Sequence, residues 1–287
     1  MIGIGLMGHG IASNLLKHGH TLVVLEHSGN QPLESLISSG ATSVMTARQL
    51  AAQVDVIILC VTGSPQVEAV LTGDSGVLQG LKPGSIVIDC STAIPLSTER
   101  MAAAVRAVGA HFLDAPMTRT AKEAAEGRLN LLVGGPDELV QECMPILRCF
   151  AENIMHAGGV GAGHRMKLLH NYVSLGMATL LAEAAASASI AGIDPQVFVD
   201  VLSRGGGAGV PLERLKPFIT SGDASTLKFS IENAQKDLTY YNQMASDSGA
   251  DRTVAAAVLQ SLELANKAGS GGAWVPEMVS VIKARQR

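Results

Sequence analysis

The sequence predicts an α/β protein with a doubly wound, mainly parallel sheet in its N-terminal part and an all-α C-terminal part. Three observations lead there. Short apolar runs alternate with helical segments through the first half of the 287 residues. The alternation stops after Gly163. The chain also opens on a glycine motif, G-x-G-x-x-G at Gly3, Gly5 and Gly8. A β-α-β-α order favours a parallel sheet covered by helices.

Taken in order, the glycine motif should follow a buried strand and open a helix. A helical pattern, HGIASNLLKHG, does follow, but only Met1 and Ile2 precede the motif. The expectation is that the record starts late and that a longer first strand belongs there. TLVVLE (21–26) reads as a strand of β-branched and apolar residues. VDVIILCV (54–61) and GSIVIDCS (84–91) are continuous apolar runs of the kind buried on both faces of a sheet. HFLDAP (111–116), RLNLLVGG (128–135) and ENIMHAG (152–158) extend the series, with helices expected at TARQLAAQ, SPQVEAVLT and PLSTERMAAAVRAVG.

Residues 164–191 then read as one long helix, ended by Gly192 with Pro195 beyond it. DPQVFVDVLSR, SIENAQKDLTYYNQMASDSG, DRTVAAAVLQSLELANKAG and PEMVSVIKARQ are helical in pattern, and RGGGAGVP (204–211) separates two of them. The boundary therefore falls near Gly158–Gly163, giving a nucleotide-binding domain at 1–160 and a helical substrate and oligomerisation domain at 161–287.

Composition narrows the class. Charged residues are 16% and the chain is rich in aliphatics, which argues against disorder. A net charge of −4 carries no basic footprint, so no nucleic-acid partner is expected. The four cysteines lack C-x-x-C spacing and read as buried free thiols of a reducing cytoplasm, with no metal site. No basic segment precedes the apolar N-terminus, so no signal peptide is read. Glu183 and several serines interrupt the apolar run 174–193, which reads as a buried helix rather than a membrane span. Its Ala and Leu lie all round, so a homo-oligomer, dimer or tetramer, is expected.

Four stretches carry chemistry. In the fingerprint, the first glycine allows the tight turn, the second lets a pyrophosphate approach the backbone, and the third lets helix and strand pack. Glu26 ends the next strand, where an acid bonds the ribose hydroxyls of NAD and repels a 2′-phosphate, so NAD is expected over NADP. In GGVGAGHRMKLLHNYVS (158–174), Lys167, His170, Asn171 and Ser174 share one helix face, a polar stripe that suits a cleft lining and a lysine general acid or base. In DAPMTRTAKEAAEG (114–127), Thr118, Arg119 and Thr120 follow a strand's carboxyl end, where ligands of such sheets bind, and a guanidinium flanked by hydroxyls suits an anion. In VIDCSTAIP (87–95), Ser91 and Thr92 sit at another such end.

Together these stretches resemble the β-hydroxyacid dehydrogenase family over essentially the whole chain. GIGLMGHGIASNLLKHGH resembles its opening fingerprint, DCST its D-x-S-T segment, GAGHRMKLLHN its G-x-G-x-x-x-K-x-x-x-N, and QKDL its H-K-D-L. DAPMTRT occupies the place of D-A-P-V-S-G-G. The resemblance implies a Rossmann domain and an NAD(P)-dependent interconversion of a small 3-hydroxy acid and its semialdehyde. Lys167 becomes the general acid/base, with Ser91, Thr118, Arg119, Thr120, His170, Asn171 and Ser174 binding the substrate. The implied cofactor set is Gly3, Ile4, Gly5, Leu6, Met7, Gly8, Glu26, His27, Val61, Thr62, Val67, Thr92 and Lys236.

Two departures stand out. Arg119-Thr120 replaces Gly-Gly, which resembles the sulfolactaldehyde reductase branch, although His170 and Thr118 stand where that branch has Asn and Gly. His170 is similar to the 6-phosphogluconate dehydrogenase pattern, but Ser174 replaces that enzyme's acidic residue. The expected substrate is thus a small anionic hydroxy acid or aldehyde, with a sulfonate as the alternative. A catalytically silent nucleotide-binding module is the rival of a different class; members of that kind usually lack the lysine.

Overall fold

The computed structural model describes residues 1–285; Gln286, the last residue of the expected C-terminal helix, and Arg287 lie outside the described residues. The chain divides into two compact units, residues 1–167 and residues from 168 on.

The first unit contains α1 (Leu6–Lys17), β1 (Val23–Leu25), α2 (Glu34–Ser38), β2 (Thr42–Val44), α3 (Ala47–Ala51), β3 (Val56–Leu59), α4 (Ser64–Thr72), β4 (Ile86–Asp89), α5 (Pro95–Ala107), β5 (His111–Asp114), β6 (Met117–Thr118), α6 (Ala121–Ala125), β7 (Leu129–Gly134), α7 (Asp137–Leu147) and β8 (Ala151–Gly158). β1 pairs with β2, and β3, β4 and β5 pair in succession, all parallel. Met1 and Ile2 link the two sets. Leu25 N–H donates to the Met1 carbonyl at 3.1 Å, Ile2 N–H to Ile58 at 2.9 Å, and Cys60 N–H to Ile2 at 2.9 Å. The order is therefore β2-β1-(Met1–Ile2)-β3-β4-β5, with the glycine loop leaving the switch point where the order reverses.

Strand alternation explains the apolar runs. Ile57 and Leu59 of β3, Val87 of β4 and Phe112 of β5 join one core cluster. Ile58, Ile88 and Leu113 join the cluster on the other face, with Ile4, Ile11 and Leu15 of the α1 region. Both faces are covered, so the interiors of these strands are apolar on both sides, with polar residues only at their ends.

RLNLLVGG departs from the parallel pattern: β7 runs antiparallel to β5 and β6, while β8 pairs with it in parallel. The connection from Arg119 to Arg128 is shorter than the dozen or so residues a parallel crossover needs, so the chain doubles back.

The second unit is helical. Helix α8 (Ala162–Ile190) begins in the first unit and continues into it, followed by α9 (Pro195–Ser203), α10 (Val210–Ser221), α11 (Ile231–Asp247), α12 (Thr253–Lys267) and α13 (Met278–Arg285). Leu175, Leu181, Leu212, Leu215, Ile231, Leu238, Leu262 and Met278 form its core. α8 is long and apolar enough, by length and composition, to cross a membrane. Its Leu175, Ala178, Leu181, Ala182 and Ala186 are instead buried in this core, whereas Leu169, Val173, Leu180 and Ile190 are exposed.

Candidate active site

The glycine loop has the shape of a phosphate cradle. Gly3 adopts φ +87°, and a Cβ there would meet the Cys60 carbonyl oxygen at 2.2 Å. A Cβ on Gly8 would meet the Gly3 carbonyl oxygen at 1.9 Å, so this glycine sets how closely α1 packs on the loop. A Cβ on Gly5 would meet nothing within 4 Å. The protein itself therefore does not require glycine at position 5. An approaching pyrophosphate does, and Gly5 caps α1 with no side-chain partner on the helix's first N–H groups. The loop fits a dinucleotide.

Around it, Ile4 is buried, Leu6 exposed and Met7 half-buried. Asn30 ties the loop to the end of β1: the Ile4 N–H donates to its Oδ1 at 3.1 Å, and its Nδ2 donates to the Leu25 carbonyl at 2.9 Å. Glu26 is exposed and accepts from Ser43 Oγ at 2.5 Å, which holds the carboxylate at the strand end. His27 is exposed, and its Nδ1 accepts the Gly29 N–H. The Val61 N–H donates to Ser91 Oγ at 3.0 Å, joining two of the expected cofactor-loop segments; Thr62 is exposed and Thr92 half-buried. Val67, on α4, is buried in the core cluster that includes β3 and β4 residues, so its side chain is not at the surface.

Lys167 lies half-buried on the first turns of α8, and its Nζ donates to the Met117 carbonyl at 2.7 Å. The next residue, Thr118, is buried and its Oγ1 accepts from Asn130 Nδ2 at 3.1 Å. Thr120 caps α6 in a capping box with Glu123. Its hydroxyl holds the Glu123 carboxyl below the usual range. Among the described residues Arg119 is the sole non-glycine with positive φ, +80°. Its guanidinium donates to the Arg128 carbonyl and pairs with the Glu152 carboxylate, which it holds below the usual range. The guanidinium expected to clamp an anion is thus already shared with a carboxylate. Nothing in the sequence marks Glu152, 33 residues away, as its partner.

In the second unit, His170 Nδ1 lies 2.9 Å from Asn171 Oδ1, and Asn171 Nδ2 donates to Asp237 Oδ2 at 2.6 Å. Lys236 Nζ stands 3.2 Å from Asp237 Oδ1 and 5.7 Å from the centre of the Tyr240 ring. Asp237, which the sequence does not single out, is the buried carboxylate that accepts from Asn171 and lies within ion-pair distance of Lys236. Ser174 is half-buried one turn beyond Asn171.

Among the described residues no cluster of three His, Cys, Asp or Glu is arranged to hold a metal ion. A groove of about 540 Å³, bordered by Asn130, Arg148 and Glu152, holds none of the expected site residues.

A doubly wound sheet with a glycine cradle at its switch point, joined to a helical unit, defines a nicotinamide-dependent oxidoreductase. Residues 1–159 match the model of the NAD binding domain of 6-phosphogluconate dehydrogenase, and residues 161–282 that of the NAD-binding of NADP-dependent 3-hydroxyisobutyrate dehydrogenase. The chain is 35% identical over 271 residues to 3-sulfolactaldehyde reductase of Escherichia coli (strain K12), covering 94% of this chain and 90% of that one. It is 34% identical over 217 residues to the NAD-dependent L-serine dehydrogenase of Pseudomonas aeruginosa, covering 76% and 72%. The crystal structure of 3-hydroxyisobutyrate dehydrogenase from Salmonella typhimurium matches with a TM-score of 0.85 at 27% identity, over 98% of both chains. The chain belongs to the β-hydroxyacid dehydrogenase family and is a nicotinamide-dependent dehydrogenase.

Proposed function

We propose that the protein interconverts a small 3-hydroxy acid and its semialdehyde with NAD, using Lys167 as general acid/base. The observation that carries this reading is the anchored lysine head. Its hydrogen bond to the Met117 carbonyl fixes an otherwise flexible side chain beside the Thr118–Thr120 segment. When bound, the nicotinamide supplies or receives the hydride at C4. In the reductive direction the Lys167 ammonium gives a proton to the carbonyl oxygen as that oxygen gains its electron pair. In the oxidative direction the amine takes the hydroxyl proton.

Asn171, held by Asp237, orients the substrate, with His170 and Ser174 beside it on the same helix. Lys236 borders cofactor and substrate. The acidic group of the substrate meets Ser91, Thr118, Arg119 and Thr120. Since Glu152 already occupies the Arg119 guanidinium, an anion binds there in competition with it. The Ser43-held Glu26 carboxylate supports NAD over NADP, because it favours ribose hydroxyls and repels a 2′-phosphate. Residues 1–160 form the nucleotide-binding domain in this reading, and residues 161–287 the helical substrate and oligomerisation domain. Exposed Leu169, Val173, Leu180 and Ile190 on α8 support a homo-oligomer; light scattering that finds a monomer alone contradicts it. The four free cysteines support a reducing, cytoplasmic setting. The acidic balance supports neither nucleic acid nor membrane as a partner.

One observation favours a second substrate class. Arg119-Thr120 and the 35% identity to 3-sulfolactaldehyde reductase suit a sulfonate. NADH absorbance on a panel of 3-hydroxyisobutyrate, glycerate, sulfolactate-type diols, 4-hydroxybutyrate and serine separates the readings. A highest kcat/KM on a carboxylate supports the first, and on a sulfonate the second. Tight NADH binding with no turnover of any member or its aldehyde sinks both in favour of a silent module.

A further inference from the structure

Four elements of the first unit converge on one imidazole that the proposed chemistry does not use. His164 is fully buried on the first turn of α8. Its Nε2 lies 3.1 Å from the Ser91 carbonyl oxygen, and its Nδ1 lies 2.8 Å from Thr98 Oγ1 on α5. A carbonyl only accepts, so Nε2 carries a hydrogen and donates it.

Beneath the ring are two carboxylates, each without exposed surface. Asp89 and Asp114 end β4 and β5 and are direct partners in the parallel register. Asp114 accepts the Gly161 N–H at 2.7 Å and the His164 N–H at 2.8 Å, so it acts as a remote cap on α8. Asp89 Oδ1 accepts the Ser91 N–H at 2.9 Å, while its buried Oδ2 has no hydrogen-bond partner and lies 3.9 Å from His164 Nε2. Two adjacent buried carboxylates repel one another, and an unpartnered buried oxygen is costly. The imidazole edge is the polar group that faces both.

This cluster meets the proposed chemistry at two points. Lys167 stands three residues, about one helical turn, beyond His164. Met117, whose carbonyl receives Lys167 Nζ, stands three residues beyond Asp114. On the other side, Ser91 offers its carbonyl to His164 and its hydroxyl to the Val61 N–H, tying in the expected cofactor segments 61–62 and 91–92. The strand ends leave no room for slack: a Cβ on Gly163 would meet Asp114 Oδ2 at 2.8 Å, and one on Gly134 would meet Asp114 Oδ1 at 2.5 Å.

We propose that His164 is a positioning residue for the reaction: bridging Thr98 and the Ser91 carbonyl above the Asp89–Asp114 pair, it fixes the first turn of α8 to the cofactor segments and so sets where Lys167 Nζ meets the substrate oxygen. The inference rests on the reading of Lys167 as the acid/base. A shift of the reacting group by about 1 Å costs on the order of 10²-fold in rate.

The test uses the full chain, NADH for binding, and the panel member of highest kcat/KM for turnover. His164→Gln keeps one donor, His164→Leu keeps none, and Thr98→Val removes the Nδ1 partner and leaves the imidazole in place, losing besides it only the 3.2 Å contact of Thr98 Oγ1 with the Ile94 carbonyl in its own helix. The expected result is a graded loss of kcat, about 10-fold for Thr98→Val and His164→Gln and on the order of 10²-fold for His164→Leu. The NADH Kd and substrate KM stay within about threefold. A purely structural role lowers Tm but leaves kcat of the folded enzyme unchanged, so kcat within about threefold of the parent in folded His164→Gln overturns the inference. If neither His164 variant folds, Thr98→Val decides on the same criterion. Lys167→Ala is the control. Turnover retained there defeats the acid/base reading itself, whereas its loss beside unchanged kcat in the other variants defeats the His164 inference alone.

Discussion

Alanine at Gly5 and alanine at Gly8 should have opposite consequences. Gly5 sits in extended backbone at φ −77°, ψ −163°, and its added methyl meets open space. Stability should therefore stay level or rise by about 0.4–1 kcal/mol, through loss of unfolded-state freedom. Gly8 lies inside α1, where alanine gains about 1 kcal/mol of helix propensity. Its methyl, however, arrives 1.9 Å from the Gly3 carbonyl oxygen, a backbone atom that cannot swing aside. The loop must move, at a cost of about 1–3 kcal/mol or more. Set against the helix gain this leaves a net loss of up to about 2 kcal/mol, so at roughly 2–4 °C per kcal/mol Gly8→Ala should melt up to about 8 °C lower.

Binding should discriminate the two differently. A methyl on Gly5 keeps an incoming pyrophosphate off the N–H groups of α1. Losing one hydrogen bond to a charged group costs about 1.5–3 kcal/mol, which is roughly a 10- to 100-fold weaker NADH Kd. Fluorescence titration with NADH alongside thermal melts measures both quantities. A folded Gly5→Ala protein that binds NADH as tightly as the parent would refute the assignment of the loop as the phosphate cradle.

Glu26→Gln removes the charge that the proposed reading sets against the ribose; kcat/KM with NADPH should rise relative to NADH by about tenfold or more, on the scale of one lost charge repulsion, and an unchanged ratio contradicts the role proposed for Glu26. Burial pushes the Cys60 thiol up to about 12 and Cys143 to about 11, and raises Cys90 and Cys149, so rapid iodoacetamide labelling at pH 8 should touch none of the four in the native protein and all four in denaturant. The same shifts set a pH dependence: above the ordinary thiol value of 9.0 the unfolded chain releases protons the folded chain keeps. Stability is thus full below about pH 9 and falls above it by up to about 1.4 kcal/mol per pH unit for each such thiol. Denaturant midpoints from pH 8 to 10.5 that do not decline would show that burial of the thiols is overstated.

How much of this was legible in the sequence depended on the range of the interaction. The continuous runs VDVIILCV and GSIVIDCS announced strands because both faces of β3 and β4 are covered, and the glycine spacing announced the loop because the positive φ of Gly3 and its close approach to Gly8 lie within one short stretch. The three residues of β2 and two of β6 are too short to show a period. α7 and α10 carry Pro145 and Pro217 in their interiors, residues that read as helix breakers, and α10 also follows the glycine run. The reversal of β7 came from a connection too short for a crossover, which no residue pattern within the strand reveals. On α8, helix spacing placed Lys167 and Asn171 on one face. His164, Asp237 and Glu152 were not legible: each looks ordinary alone, and the partners that define them, Thr98, Asn171 and Arg119, are 66, 66 and 33 residues away. The nearest hint was the QKDL motif, in which Asp237 was quoted without a role.

The central claim is that the Lys167 ammonium, anchored at Met117, moves the proton while hydride moves at the nicotinamide. The direct measurement is single-turnover oxidation of bound NADH by the best aldehyde of the panel, comparing Lys167→Ala with the parent at matched NADH occupancy. The account predicts an NADH Kd within about threefold of the parent and a hydride-transfer rate lower by about 10²–10⁴-fold, the range of a lost general acid. A Lys167→Ala protein that oxidises NADH within tenfold of the parent rate would contradict it.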